Sequence, residues 1–350
     1  MGGTRLESVP FVVVGAGPAG LQAATTLAQA GREVLVLERN AEIGPKVCAG
    51  GLSRKCVRFL ERFGLPATLG RETVASLSVF GGPAFALDAE GARVRTIPRP
   101  ALGQWQAQVA QAAGAVLRTR ARVTAVDLPG RSLTINGREQ ISYEHLLGAD
   151  GSLSVVRVAL GLPCPRRLFA VEYNLAGVDA GALSVHSDPA ALGNGYFWAF
   201  PHAGYTCFGC GGDRALIPPA AIRAYLARRL RKAGLRLEGA RPEGFPIEVA
   251  YRGLDFGAVH LIGDAAGLAS PLTGEGIYAA LVSGEEVAQS LLEPGRRREA
   301  LAAWLRRRWH HARIARLWRS RSAHLLSLAL IRGLCRWRWG NRACTTLFLN

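Results

Sequence analysis

Phe11-Val12-Val13-Val14-Gly15-Ala16-Gly17-Pro18-Ala19-Gly20 sets the architecture of this chain. Four consecutive apolar residues read as a strand buried on both faces, as in a parallel sheet. The glycines after it have separate jobs. Gly15 makes the tight turn, Gly17 lets the backbone approach a pyrophosphate, and Gly20 lets the next helix pack on the sheet. Residues 21–30 are rich in alanine and leucine and stop at Gly31, the pattern of a helix with a C-terminal glycine. Residues 33–37 read as a second strand, and Glu38 ends it. The helix N-terminus offers free N–H groups to phosphates, and Glu38 offers a carboxylate to a ribose hydroxyl. Strand, turn, helix, strand and terminal acid together make a dinucleotide fingerprint in its required context.

Two later segments extend the site. Leu146-Leu147-Gly148-Ala149-Asp150-Gly151 reads as a strand running into a turn. Val259-His260-Leu261-Ile262-Gly263-Asp264 reads as another, followed by Pro271-Leu272-Thr273-Gly274-Glu275-Gly276 and an apolar helix over 277–292. An acid at a strand end beside a second helix N-terminus suits a long ligand bearing hydroxyls and phosphates. The chain of 350 residues has room for roughly two domains at about 150 residues each. Residues 74–98 and 164–251 carry alternating and aromatic runs, expected to form an antiparallel sheet inserted in the first domain. The expected division is 1–73, 99–163 and 252–294 for the dinucleotide domain, 74–98 and 164–251 for a substrate domain, and 295–350 for a helical tail.

The three segments resemble the FAD-binding motifs of the para-hydroxybenzoate-hydroxylase-type flavoproteins. The resemblance implies an α/β fold with a Rossmann-like FAD domain, in which Asp264 meets the ribityl or pyrophosphate region. The backbone around Gly274 to Gly276 would cradle the flavin pyrimidine, and Asp150, with Gly151 and Arg157, would close the groove. Arg99 stands where that family has an arginine near the flavin chain; the other reading is a surface residue. For Asp150 the other reading is a structural turn. Fingerprint and resemblance together give a non-covalent FAD set of Gly15, Gly17, Pro18, Ala19, Gly20, Glu38, Arg39, Cys48, Ala49, Gly50, Arg99, Asp150, Gly263, Asp264, Pro271, Gly274, Glu275, Gly276 and Ile277.

Two motifs narrow the family. Gly44-Pro45-Lys46-Val47-Cys48-Ala49-Gly50-Gly51-Leu52 follows the second strand. Tyr196-Phe197-Trp198-Ala199-Phe200-Pro201 is followed by Gly209-Cys210-Gly211. Together they resemble the geranylgeranyl reductase family, departing from it at Ala49, His202 and Gly103. The resemblance implies reduction of isoprenoid carbon–carbon double bonds by hydride from reduced flavin, with NAD(P)H or ferredoxin as donor and a prenyl lipid or prenyl diphosphate as substrate. On a strand, Tyr196, Trp198 and Phe200 share one face and make an apolar wall; the plainer reading is sheet core. The substrate set is Tyr196, Trp198, Phe200, Pro201, Gly209 and Gly211, with Cys48, Tyr196 and Trp198 as catalytic candidates. Cys48 would position substrate or relay a proton, or be an inert loop residue. A flavin monooxygenase and a flavin halogenase are rivals on the same fold. A membrane-surface or nucleic-acid binding protein with a vestigial flavin site is the non-enzymatic rival.

The net charge of +17 is uneven. Residues 295–350 hold fourteen arginines, one acid (Glu299) and five tryptophans. Arginine beside tryptophan suits an interfacial helix on an anionic membrane, and the alternative is a helical cap with a solvated basic face. Nucleic acid is not expected, because no reader motif accompanies the charge. Seven scattered cysteines with no secretory signal favour the cytoplasm, with the tail on the inner membrane face in the interfacial reading. Cys207 and Cys210 form one CxxC on a strand, where positions three apart face opposite sides, so no metal is expected.

Overall fold

A computed structural model describes residues 7–79, 85–86, 92–164 and 167–349. Residues 80–84, 87–91 and 165–166 of the predicted inserted sheet lie outside them. The first sheet runs Asp255–Phe256, Val259–Leu261, Glu139–Gly148, Glu7–Val14, Val34–Leu37 and Val116–Arg118. Its five strands from Val259–Leu261 to Val116–Arg118 are parallel. Val12, Val13, Val36, Leu146 and Leu261 are fully buried in it, which is why these segments read as unbroken apolar runs.

Helices Pro18–Gln29 and Ile277–Leu292 pack side by side on this sheet. Glycine makes that approach possible. A Cβ on Gly284 would lie 2.3 Å from the Ala19 carbonyl oxygen, and one on Gly20 would lie 2.0 Å from that of Gly15. Gly15 itself has a φ of 103°, a conformation open to glycine, and hydrogen-bonds Leu37. The two helix N-termini therefore open onto one cleft.

The second sheet runs Glu243–Glu248, Arg167–Ala176, Tyr205–Asp213, Tyr196–Pro201, Leu183–Ser187, Arg71–Val79, Arg93–Thr96 and Gly51–Ser53. It is antiparallel except where Leu183–Ser187 lies parallel to Arg71–Val79. Leu183–Ser187 joins Arg71–Val79 only after the chain has first paired back on it through Phe85–Ala86 and Arg93–Thr96 and then passed through the first sheet. One face packs Phe197, Val171 and Cys210 under helix Pro219–Lys232. The other face looks into the cleft.

The tail forms helices Glu299–Leu317, Arg321–Leu334 and Arg338–Leu349. Its inner face is fastened down. Trp304 is 2% exposed and its indole N–H donates to the Leu268 carbonyl at 2.9 Å. His311 Nδ1 bonds the Ser270 hydroxyl at 2.8 Å, and burial pushes its pKa down to about 4. Leu272, Ala315, Trp318 and Leu328 form a small core of their own. No helix among the described residues is long and apolar enough to cross a membrane.

A Gly284→Val protein should unfold at lower urea concentration, by about 1–3 kcal/mol, because two helix backbones must part to admit the side chain. Equilibrium denaturation followed by circular dichroism measures it; wild-type stability would show that the helices do not touch there.

Candidate active site

The predicted residues converge. All of the candidate site residues except Gly20, Pro201 and Gly209 line one cavity of about 780 Å³ between the two sheets. The three absences have physical reasons. Gly20 is pressed on Gly15 as described. Gly209 lies beneath the Trp198 ring, where a Cβ would come within 2.2 Å of Trp198 Cζ2. Pro201 turns its carbonyl to the Thr96 hydroxyl at 2.6 Å.

At the Rossmann end, a Cβ on Gly17 would meet nothing within 4 Å. That open space sits at the start of helix Pro18–Gln29, where backbone N–H groups have no helical partner. Glu38 is not idle: its Oε2 accepts the Ala16 N–H at 3.0 Å and its Oε1 accepts that of Asn40 at 2.9 Å. Each oxygen keeps a lone pair for a ribose hydroxyl. Arg39 stands exposed at the rim. Arg99 is a cleft residue rather than a surface one, 6% exposed, and its buried Nε has no partner. Asp150 braces the start of the short helix Val155–Ala159, which Ser154 caps; the Asp150 Oδ2 accepts the Val155 N–H at 2.7 Å, while buried Oδ1 has no partner. Burial raises the Asp150 pKa. Arg157 is structural: it is 1% exposed and donates to the carbonyls of Ala265, Pro163 and Ala250. Unpartnered buried groups around an open glycine cradle fit the phosphates and hydroxyls of a dinucleotide.

At the second motif, Lys46 Nζ donates to Asp264 Oδ2 at 2.8 Å, tying the Cys48 loop to the strand end. Glu275 gathers a larger cluster. Ser53 donates to it at 3.2 Å, Lys55 lies 3.4 Å away, and Arg307 of the tail 4.0 Å. Lys55 also stacks over Tyr278 and Trp304, and burial lowers its pKa. Two of the chain's three lysines therefore join this network, Lys46 from within the segment 44–52 and Lys55 from outside any sequence motif.

On the sheet side, Tyr196 donates its hydroxyl to the Thr273 carbonyl, joining the aromatic strand to the Gly274 turn. Burial raises the Tyr196 pKa. His202 stacks on Tyr205 and its Nε2 lies 2.9 Å from the Ala49 carbonyl, holding the Cys48 loop. Cys210 points away from the cleft and bonds the Ile222 carbonyl. Among the described residues no group of three His, Cys, Asp or Glu side chains could hold a metal ion. A parallel sheet whose glycine turn meets a second sheet's aromatic face across one cavity defines a dinucleotide-dependent oxidoreductase.

Comparison with known proteins sharpens this. A family described as FAD binding domain matches residues 8–219. A digeranylgeranylglycerophospholipid reductase of Methanopyrus kandleri is 31% identical over 337 residues, covering 85% of each chain. A geranylgeranyl diphosphate reductase of Rhodobacter capsulatus is 29% identical over 308 residues, covering 81% of this chain and 76% of that one. The crystal structure of a geranylgeranyl bacteriochlorophyll reductase-like protein from Thermoplasma acidophilum has the same fold. It superposes with a TM-score of 0.77 at 21% identity, covering 93% of this chain and 91% of that one. The chain belongs to the FAD-binding flavoproteins, in their geranylgeranyl reductase family, and is an FAD-dependent oxidoreductase.

Gly17 and Gly20 separate cofactor binding from folding. Gly17→Val should fold normally and purify colourless, because the new side chain fills only the phosphate cradle. Gly20→Val should cost about 1–3 kcal/mol of stability even without flavin. Flavin absorbance and thermal unfolding of the apoproteins check both; equal behaviour of the two variants would contradict the assignment.

Proposed function

We propose that the protein reduces carbon–carbon double bonds of a long prenyl lipid, using FAD held at the residues described. The observation that carries this is the sheet face opposite the flavin cradle. Tyr196, Trp198 and Phe200 line it, Gly211 opens it, and Leu168, Phe245 and Leu183 continue the apolar lining. An elongated apolar slot takes a hydrocarbon chain and offers few partners to a polar substrate. Bound FAD supplies a hydride equivalent after reduction by an external donor, a nicotinamide or a ferredoxin-class protein. The chain's own residues align the double bond beside the Cys48 loop and exclude water.

The substrate's address is part of the proposal. Trp318 and Leu328 of the tail line the cavity from within. On the outer side Trp309, Leu317, Leu326, Leu330, Trp337 and Trp339 are exposed. Apolar side chains among arginines suit the surface of an anionic bilayer, from which a prenyl chain would enter past Trp318. The tail is then both of the expected things, a cap inside and an interfacial surface outside.

Dithionite-reduced protein mixed anaerobically with geranylgeranyl diphosphate should give products heavier by two hydrogens per bond saturated. Mass spectrometry checks this; an oxygenated product formed only in air would move the assignment to a monooxygenase.

Full-length protein should sediment with phosphatidylglycerol vesicles, more weakly in high salt because exposed charges are screened over about 8–10 Å at ordinary ionic strength. Leu326→Asp with Leu330→Asp should fold normally and lose most of that binding. Undiminished sedimentation of the double variant would contradict the membrane surface.

A further inference from the structure

Glu172 is an acid in an apolar place that the chemistry so far has not used. It lies on strand Arg167–Ala176, lines the cavity and is only 3% exposed. Its position follows from the register. Glu172 stands opposite Gly209, and Gly209 stands opposite Trp198, so the three share one face of the sheet. Gly209 has no side chain, and the Trp198 ring lies across it toward Glu172. The glycine thus brings an aromatic wall and a carboxyl group side by side.

The surroundings suit a carboxylic acid. The Cys48 backbone N–H donates to Glu172 Oε1 at 3.0 Å. The other groups facing it are the buried Cys207 thiol on one neighbouring strand, Glu243 directly opposite on the other neighbouring strand, Arg99 from helix Arg99–Ala112, and Tyr205. Among the described residues no cation lies within ion-pairing distance of Glu172. Cys207 and Tyr205 are themselves held protonated, since burial raises both pKa values. Glu243 disfavours a second negative charge. Burial, the largest influence, pushes Glu172 up to about 7. A carboxyl group at that value can give up a proton near neutrality and regain it from water.

We propose that Glu172 is the proton donor to the substrate double bond. The proposal rests on the reductase reading above. One alkene carbon receives the hydride equivalent from a reduced flavin, which is thereby oxidised. The π electrons form the second C–H bond with the Glu172 proton on the other carbon. The Glu172 O–H bond breaks and leaves a carboxylate, held by the Cys48 N–H and the Cys207 thiol until water reprotonates it. The Cys48 loop accordingly acts through its backbone, steering Glu172 toward the chain that lies along Trp198. Cys48 and its neighbouring glycines gain a positioning role that does not require a reactive sulfur.

Two measurements test this. In the apoprotein, infrared titration should show a buried carboxylic acid band in wild type with a midpoint near 7 that is missing from Glu172→Gln. A midpoint near that of a free glutamate would overturn the proposal. In the flavin-loaded protein, reduced with dithionite and given geranylgeranyl diphosphate, the wild-type rate should fall as pH rises through 7, because the acid form is the active one. Glu172→Gln should keep its flavin spectrum, lose about 10²–10⁴-fold in rate and lose that pH break. If Glu172→Gln loses flavin, Glu172→Asp carries the test, with a reduced rate and the break retained. A variant that matches wild type in rate and pH profile would overturn the role of Glu172 alone. A wild-type protein that reduces no alkene while showing the infrared band would overturn the reductase reading, and the proton-donor role with it.

Discussion

Helices Pro18–Gln29 and Ile277–Leu292 touch through backbone, and the site depends on that contact. Ala19 meets Gly284 with no room for a methyl group between them. The constraint brings two helix N-termini and two strand-end acids, Glu38 and Asp264, to the edge of one cleft. A dinucleotide needs positive dipole ends for its phosphates and acceptors for its hydroxyls within one molecule's length. Two segments more than two hundred residues apart supply these only because glycine lets them lie so close.

The second sheet follows a parallel logic. Gly209 leaves the floor bare, so Trp198 leans across rather than stands up from it, and Tyr196 stands opposite Gly211. Tyr196 then reaches the Thr273 carbonyl and fixes the aromatic strand to the Gly274 turn. His202 and Glu172 hold the Cys48 loop from the same side, through Ala49 and the Cys48 N–H. The loop is thus clamped between the glycine cradle and the apolar wall by side chains that bond its backbone, and Lys46 adds the tie to Asp264.

The fold was legible wherever a local pattern is enforced by local geometry. The Gly15–Gly20 turn, the alternation of Tyr196, Trp198 and Phe200, and the strand ends at Asp150 and Asp264 carry their meaning in spacing alone. Glu172 could not be found this way. It sits in a strand with no motif, and its burial comes from strands 205–213 and 243–248 folding beside it. Lys55 was likewise hidden, and so was the role of Lys46 within its segment, because their partners Glu275 and Asp264 are some two hundred residues distant. The signal available was rarity: a protein with three lysines keeps two of them here. Arginine and tryptophan in the tail were legible as amphipathic, but composition does not say which face is inside. Only packing distinguishes buried Trp304 and Trp318 from exposed Trp309 and Trp337.

The central claim is that a flavin and an extended hydrocarbon chain meet in this cavity, with the Cys48 loop and the aromatic wall beside their point of contact. A crystal structure of the FAD complex with geranylgeraniol tests it most directly. The account predicts flavin density against Gly17, Glu38 and Gly274 to Gly276, and a chain lying along Tyr196 and Trp198 with a double bond beside Glu172. A chain bound outside the cavity, or a flavin that fills the aromatic slot itself, would contradict it.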